Sequence, residues 1–305
     1  MQHITLAICT KDRPDDLKRL LESIEKQTRL ADDIIIIDGS DNPVKSVVEK
    51  FEKLPIRYTE VRPPSLPRQR NVAISMIQDH SNWVGFLDDD LVLENDSVEQ
   101  IEKTIETSET EKTLGGVGLT IINVPNTRYK LSKAFFLLDN SRYGFFTTSG
   151  LPGMLHKTDE IRTVEWLSGG VTFWKAELLA EFKFDEWFEG TGYLEDVEFS
   201  YRASRKYSLI YCGPAKCFHF SHPVPLTKMK DLGVWQITAW WYFIKKFNDF
   251  NIIAVFWSMT GVILNNAVCG TINPSSHRLR KFFGNIQGLA MVLTGNALKR
   301  RTWHK

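Results

Sequence analysis

The chain has no charge bias, no cysteine pattern and no long unbroken apolar run, and each absence closes off a class of protein. Lys plus Arg (38) nearly balances Asp plus Glu (37) over 305 residues, so no global field draws the protein to nucleic acid and any basic partner surface must be local. The four cysteines, Cys9, Cys212, Cys217 and Cys269, show no CxxC spacing and read as free, mostly buried thiols in a reducing cytosol. The opening Met-Gln-His-Ile-Thr-Leu lacks the basic-then-apolar layout of a secretion signal. No GxGxxG follows the first apolar run and no GxxxxGK[ST] occurs anywhere, so neither the dinucleotide fingerprint nor the P-loop can hold a nucleotide here. The length allows a substantial core, in one large domain with an appendage or two unequal domains.

What is present is an alternation. Ile4 to Cys9 is a short apolar strand, followed by the loop Thr10-Lys11-Asp12-Arg13-Pro14 and a helix from Pro14 carrying Leu17, Leu20, Leu21 and Ile24 at helical spacing. Ile34-Ile35-Ile36-Ile37 is too continuously apolar for a half-exposed strand; it predicts a parallel strand buried on both faces, ending in Asp38-Gly39-Ser40. Val44 to Phe51 reads as a helix, Ile56 to Thr59 as a strand, Arg70 to Ile77 as a helix and Trp83 to Leu87 as a strand. This order predicts an open α/β sheet with its ligand site at the carboxyl ends of the strands. Asp12, Arg13, Asp38 and Asp88 to Asp90 all fall at such ends.

The run Val84-Gly85-Phe86-Leu87 terminates in Asp88-Asp89-Asp90. Adjacent carboxylates repel one another unless water or a cation screens them. An acidic solvated turn would explain one such cluster, but not several converging on one rim. A hard divalent cation, Mg²⁺ or Mn²⁺, takes oxygen ligands and commonly bridges protein carboxylates to phosphates.

Signals weaken from Leu114 to Arg162, which predicts loops and excursions. Trp166-Leu167-Ser168-Gly169-Gly170 then places two glycines where backbone can approach a ligand, while Trp166 and Trp174 suit either core packing or stacking on sugar. Glu195-Asp196 stands near a helix N-terminus, where the dipole alone favours acids. His219 and His222 follow a late strand from Tyr207 to Tyr211.

Taken in order, Ile4-to-Arg13, Ile34-Ile35-Ile36-Ile37-Asp38-Gly39-Ser40, Arg68-Gln69-Arg70-Asn71, Phe86-Leu87-Asp88-Asp89-Asp90, Trp166-to-Gly170 and Glu195-Asp196 resemble the family 2 glycosyltransferases of GT-A fold, over residues 1 to 225. The resemblance implies a mixed sheet flanked by helices and metal-dependent, inverting transfer from a nucleotide-diphosphate sugar. It puts the nucleotide on residues 1–113 and the acceptor on 114–225. By it, Thr10 and Arg13 would line the base and diphosphate pocket, Asp38 would contact the base, uracil, and Arg70 would reach the nucleotide. Asp88 would face the ribose, Asp90 would bind the metal, and His219, with His222 as its competitor, would complete the metal shell. Asp196 would be the base with Glu195 orienting, and Trp166, Gly169 and Gly170 would meet the acceptor. Where the family often shows Tyr-Asn-Arg this chain has Thr10-Lys11-Asp12-Arg13, which removes an aromatic stacking partner for the base.

The residues 226–305 change character: Trp235, Trp240, Trp241, Tyr242 and Phe243 precede Lys245-Lys246, and Ile252 to Val268 is apolar but short for a membrane span and interrupted by polar residues. Arg278, Arg280, Lys281, Lys299, Arg300 and Arg301 make a basic tail. This helical extension suits docking on an anionic inner leaflet, which would fit a lipid-linked saccharide acceptor in bacterial surface-polysaccharide assembly. It suits equally a subdomain packed on the catalytic sheet or a homodimer contact. Two other functions remain compatible with a carboxylate rim. A nucleotidyltransferase would carry a Gly-rich N-terminal loop, which is missing, and an inactive glycan-binding module has no use for Asp88, Asp90 and Asp196.

Overall fold

The computed structural model describes residues 2–108, 112–124, 131–140, 142–189, 192–274 and 277–299. The chain divides into two compact units, Met1–Asn126 with Leu155–Ser221, and Thr127–Met154 with His222–Lys305.

The first unit is built on one sheet. Its elements are β1 (Ile4–Thr10), α1 (Pro14–Ile24), β2 (Asp33–Asp38), α2 (Lys45–Val48), β3 (Ile56–Glu60), α3 (Leu66–Ser75), β4 (Trp83–Asp88), β5 (Leu91–Leu93), α4 (Ser97–Thr107) and β6 (Leu114–Ile121). After α5 (Leu131–Phe135), which belongs to the second unit, come β7 (Ile161–Val164), β8 (Val171–Lys175), α6 (Ala176–Glu181), α7 (Glu195–Lys206) and β9 (Ser208–His219). The sheet order is β3-β2-β1-β4-β8-β6-β9-β5, with β7 also on β9. The β3-β2-β1-β4 half is parallel, β8 enters antiparallel between β4 and β6, and the result is the mixed sheet of a GT-A fold. Every residue of β2 is buried, as its isoleucine run requires of a strand covered on both faces. Apolar side chains of α1, including Leu17, Leu20, Leu21 and Ile24, fill one face of this core and are fully buried.

Three elements depart from the sequence expectation. β6 is an eight-residue buried strand within the stretch expected to be loops, α2 covers only four residues of the helix expected over 44–51, and β9 runs on to His219. Residues 127–154, expected with the acceptor half of the sheet, group with the C-terminal helices instead. Trp240 Nε1 donates to the Ser149 carbonyl (2.9 Å) and Trp257 Nε1 to that of Phe135 (2.7 Å), while Gly150 sits against Ile244 and Phe250.

The second unit is α5 with α8 (Met229–Phe247), α9 (Ile252–Ile272) and α10 (Arg278–Leu293). α9 continues past Val268 to 21 residues, and by length and composition it is long and apolar enough to cross a membrane. One side buries Val255, Met259, Val262 and Ile263; Ile253, Trp257, Leu264, Val268 and Ile272 are exposed. Arg300 and Arg301 of the basic tail lie outside the described residues. Asn285 on α10 donates to the Gly233 carbonyl on α8 (2.9 Å) and accepts from Asn266 on α9 (2.7 Å), so one buried amide joins three helices.

α8 and α10 touch backbone to backbone, because a Cβ on Gly284 would stand 2.0 Å from the Lys230 carbonyl oxygen. Gly284→Ala must therefore push the helices apart, and a loss of about 1–3 kcal/mol is expected, the usual cost of overpacking. Urea unfolding followed by circular dichroism measures it; an unchanged midpoint would show that the helices are not held at this separation.

Candidate active site at the strand ends

Thr10, Asp38 and Asp88 are the last residues of β1, β2 and β4, and the parallel register sets Thr10 opposite Asp38 and Cys9 opposite Asp88. Three strands of matched length thus deliver their polar ends to one rim. The loops beyond are stitched together: Asp12, left-handed at φ 55°, donates its N–H to Ser40 Oγ (2.7 Å) and accepts from Asp41 N (2.8 Å). Gln69 Nε2, from α3, donates to the carbonyls of Thr10 (3.1 Å) and Ile37 (3.0 Å) and ties the ends of β1 and β2.

Asp38, which the resemblance set against the base, is engaged within its own loop. It is fully buried and accepts from Ser40 N (2.7 Å), Val44 N (2.8 Å) and the Tyr58 hydroxyl. Burial alone would raise its pKa, but these hydrogen bonds hold the carboxyl below its usual range. Through these bonds Asp38 shapes the loop 39–44.

The acid triplet divides by side. Asp89, buried, accepts from Thr10 Oγ1 (2.8 Å) and Arg13 Nη1 (3.0 Å), and burial pushes its pKa up to about 6 against the pull of both donors. Thr10 and Arg13 are therefore joined to this middle carboxylate, and Arg13 Nη1 also lies 3.2 Å from Asp90 Oδ2. The pairing of β5 with β9 sets His219 opposite Leu91, which brings its Nε2 to 3.0 Å from Asp90 Oδ1. Asp90 raises the His219 pKa. Burial would raise that of Asp90, but His219 and Arg13 hold it below the ordinary value. Asp88, Asp90 and His219 each offer a ligand atom within 4.8 Å of the others, whereas His222 is exposed on the loop beyond. Asp90 Oδ1 is buried and receives no aligned hydrogen bond. Hard oxygen and imidazole ligands around an unsatisfied carboxylate oxygen suit a divalent cation.

Across from the triplet stands the acid pair of α7. The helix starts after Leu194, which is left-handed at φ 69°, a strained conformation for a branched residue. Glu195 is buried and ion-paired with Arg70 Nη1; Arg70 Nη2 lies 3.4 Å from Asp88 Oδ1. Arg70 is itself buried against the rings of Phe184 and Phe86. The resemblance implied that it reaches the nucleotide; here it ties the acid cluster to α7. Burial pushes the Glu195 pKa up, with Arg70 opposing and Asp196 and Asp88 adding to the rise. Asp196 is half-buried, accepts from Gly169 N (3.0 Å) and Val197 N (2.8 Å), and is also raised, chiefly by burial.

Gly169 and Gly170 are required by space. A Cβ on Gly169 would meet Arg70 Nη1 at 2.5 Å and Asp196 Cβ at 2.8 Å, and one on Gly170 would overlap the Asp88 carboxylate at 1.9 Å. Trp166 is half-buried beside them, whereas Trp174 is core, packed edge-on against Phe199. Asp89, Gln69 and the Arg70–Glu195 pair are the components that sequence reasoning left without a role. Asp89 was visible in the triplet, but nothing in the sequence pairs residues 70 and 195.

Residues 5–157 match the family described as Glycosyl transferase family 2, and the chain belongs to that family; it is a glycosyltransferase. Among solved structures it is similar to the mannosyltransferase PcManGT from Pyrobaculum calidifontis, in complex with GDP-Man and Mn²⁺, at 13% identity and a TM-score of 0.57, over 94% of this chain and 87% of that one. It is similar also to GalNAc-T7 with UDP, GalNAc and Mn²⁺, at 14% identity and a TM-score of 0.53, over 79% of this chain and 50% of that one. For TarS of S. aureus the values are 15% and 0.47, over 77% and 39%. The chain thus spans half or less of the length of the last two. At these identities the likeness concerns the fold. No curated protein sequence matches the chain.

Gly170→Ala should displace the Asp88 carboxylate and lower kcat/KM by about 100-fold, the scale of an ångström misplacement in a catalytic site. Donor turnover and thermal unfolding measured together test this: loss of activity with the fold retained is expected, and full activity would show that Asp88 is not held by this contact.

Proposed function

We propose that this glycosyltransferase moves a sugar, with inversion, from a nucleotide-diphosphate donor, a UDP-sugar, to a saccharide acceptor. The observation that carries the reading is the buried Arg70 guanidinium, which joins Asp88 of the acid cluster to Glu195 beside Asp196. Carboxylates suited to a cation and a carboxylate suited to proton abstraction are thereby fixed on one rim. Solved relatives of the same fold hold GDP-Man or UDP together with Mn²⁺, which supports a nucleotide sugar as the donor and Mn²⁺ or Mg²⁺ as the cation.

Asp88, Asp90 and His219 would hold that ion, which when bound supplies positive charge for the departing diphosphate. Arg13 carries its own positive charge beside Asp89 and Asp90, where it can contact the same phosphates. Of the two acids on α7, Glu195 is shut in against Arg70, while Asp196 is half-buried and reachable; Asp196 is therefore the base that takes the proton of the acceptor hydroxyl. The Gly169 and Val197 N–H groups fix the direction of its carboxylate, and Glu195 acts on position through Arg70. Gly169, Gly170 and Trp166 border the base and would meet the acceptor.

The acceptor we assign is a lipid-linked saccharide of bacterial surface-polysaccharide assembly, reached from the inner face of the plasma membrane. Its support is the exposed apolar side of α9, with Ile253, Trp257, Val268 and Ile272, together with the cations Lys245, Lys246, Arg278 and Arg280 in the same unit.

Nucleoside-diphosphate release from UDP-, GDP- and dTDP-sugars with Mn²⁺ or Mg²⁺ tests the transfer. One donor should turn over, activity should vanish with chelator, and Asp90→Ala should lose metal-dependent donor binding; if no donor binds even with metal, the reading fails. Asp196→Asn should keep donor binding and lower kcat by about 10²- to 10⁴-fold, the range of general-base contributions.

The base works only when deprotonated and its pKa is raised. Activity should therefore fall with decreasing pH while still above the ordinary aspartate pKa of about 3.9. A kcat/KM profile with its acid limb at or below that value would remove Asp196 from the role.

A further inference from the structure

The helical unit contains a cavity of about 380 Å³ whose lining includes Lys133 of α5, Arg278 and Lys281 of α10, and the amides of Gln236 and Asn266. Leu138, Leu232 and Val262 supply apolar wall between them. The volume lies in the range of small-molecule sites, roughly 300–1,000 Å³.

Its charge has no internal explanation. Among the described residues, Lys133, Arg278 and Lys281 form no ion pair, and no acid lines the cavity. Arg278 and Lys281 stand one turn apart at the start of α10, whose first turn holds no acid, so both face the positive end of the helix dipole as well as each other. Burial and the neighbouring Arg278 lower the Lys281 pKa, the mark of a cation held where its charge is unfavourable. Gln236 accepts from Asn285 through Oε1 (3.2 Å), which leaves its amide N–H groups free to donate. Folding alone has no use for three unpaired cations lining one partly apolar cavity. An anion with several acceptor oxygens satisfies all of them.

We infer that this cavity binds a phosphate or diphosphate group, free or carried on a lipid whose first apolar atoms lie against Leu138, Leu232 and Val262. The inference concerns the helical unit alone and does not depend on the sugar-transfer reading.

The test uses the full chain with chelator present, so that no metal site contributes. Inorganic pyrophosphate is titrated calorimetrically, and co-sedimentation is measured with phosphatidylcholine vesicles with and without phosphatidic acid. Wild type should bind pyrophosphate, which identifies a free anion as sufficient, or only vesicles containing phosphatidic acid, which identifies a lipid headgroup. In either arm Lys281→Met and Arg278→Gln should weaken binding by about tenfold or more, the effect of one charge-assisted contact. Arg278 is exposed, so its variant reports binding even should Lys281→Met disturb packing. Lys50→Gln, an exposed cation of the other unit, should bind as wild type does. Binding of neither probe, binding unchanged in both cavity variants, or an equal loss in Lys50→Gln overturns the inference.

Discussion

The rim of this enzyme depends on one buried cation. Arg70 has little solvent to stabilise its charge, and burial would be prohibitive without carboxylates in contact. Glu195 and Asp88 supply them, and the Phe86 and Phe184 rings cover the guanidinium. The dependence runs both ways, since Glu195 is a buried carboxylate that would otherwise stand alone. Because α3, β4 and α7 each contribute one partner, the three charged groups fix the two helices and the strand end relative to one another. The glycines at 169 and 170 follow from it: the loop must pass over Arg70 and Asp88 at a separation no side chain permits.

The triplet shows why consecutive acids need not share one task. β4 ends at Asp88 and the chain turns through Asp89 and Asp90, so the alternation of a strand no longer dictates where the three side chains point. Asp89 turns toward Thr10 and Arg13 and becomes part of the scaffold of the first loop. Asp88 and Asp90 face His219, which arrives from β9 only because β5 pairs with the end of that strand. A short strand with no catalytic residue of its own thus completes the ligand set.

The parallel half of the sheet was legible in the sequence because β1, β2 and β4 are apolar runs with polar punctuation. Periodicity and burial agree for Ile34 to Ile37 and for the leucines of α1. β6 was not legible. Its Leu-Gly-Gly-Val-Gly opening has the composition of a loop, yet a Cβ at Gly116 would strike the Trp174 ring at 2.6 Å and one at Gly118 would strike Leu167 at 2.8 Å. The glycines make room for bulky neighbours far along the chain, a tertiary demand that outweighs local propensity. The site divides in the same way. Its acids announced themselves at strand ends, but the pairing of Arg70 with Glu195, 125 positions away, did not. The hydrogen bonds of Asp38 to Val44 and Tyr58 are likewise invisible before folding.

Negative charge outweighs positive charge on this rim. Asp88, Asp89, Asp90, Glu195 and Asp196 are opposed by Arg13, Arg70 and the imidazole of His219. The excess contributes to the raised pKa values of Asp89 and Glu195, where neighbouring carboxylates add to the effect of burial. Such a surface repels a bare diphosphate, so phosphate recognition here cannot rest on Arg13 alone. On the proposed reading a nucleotide sugar would dock with its charge neutralised by a cation, and the carboxylates that make the rim hostile to a free anion are those that would hold it.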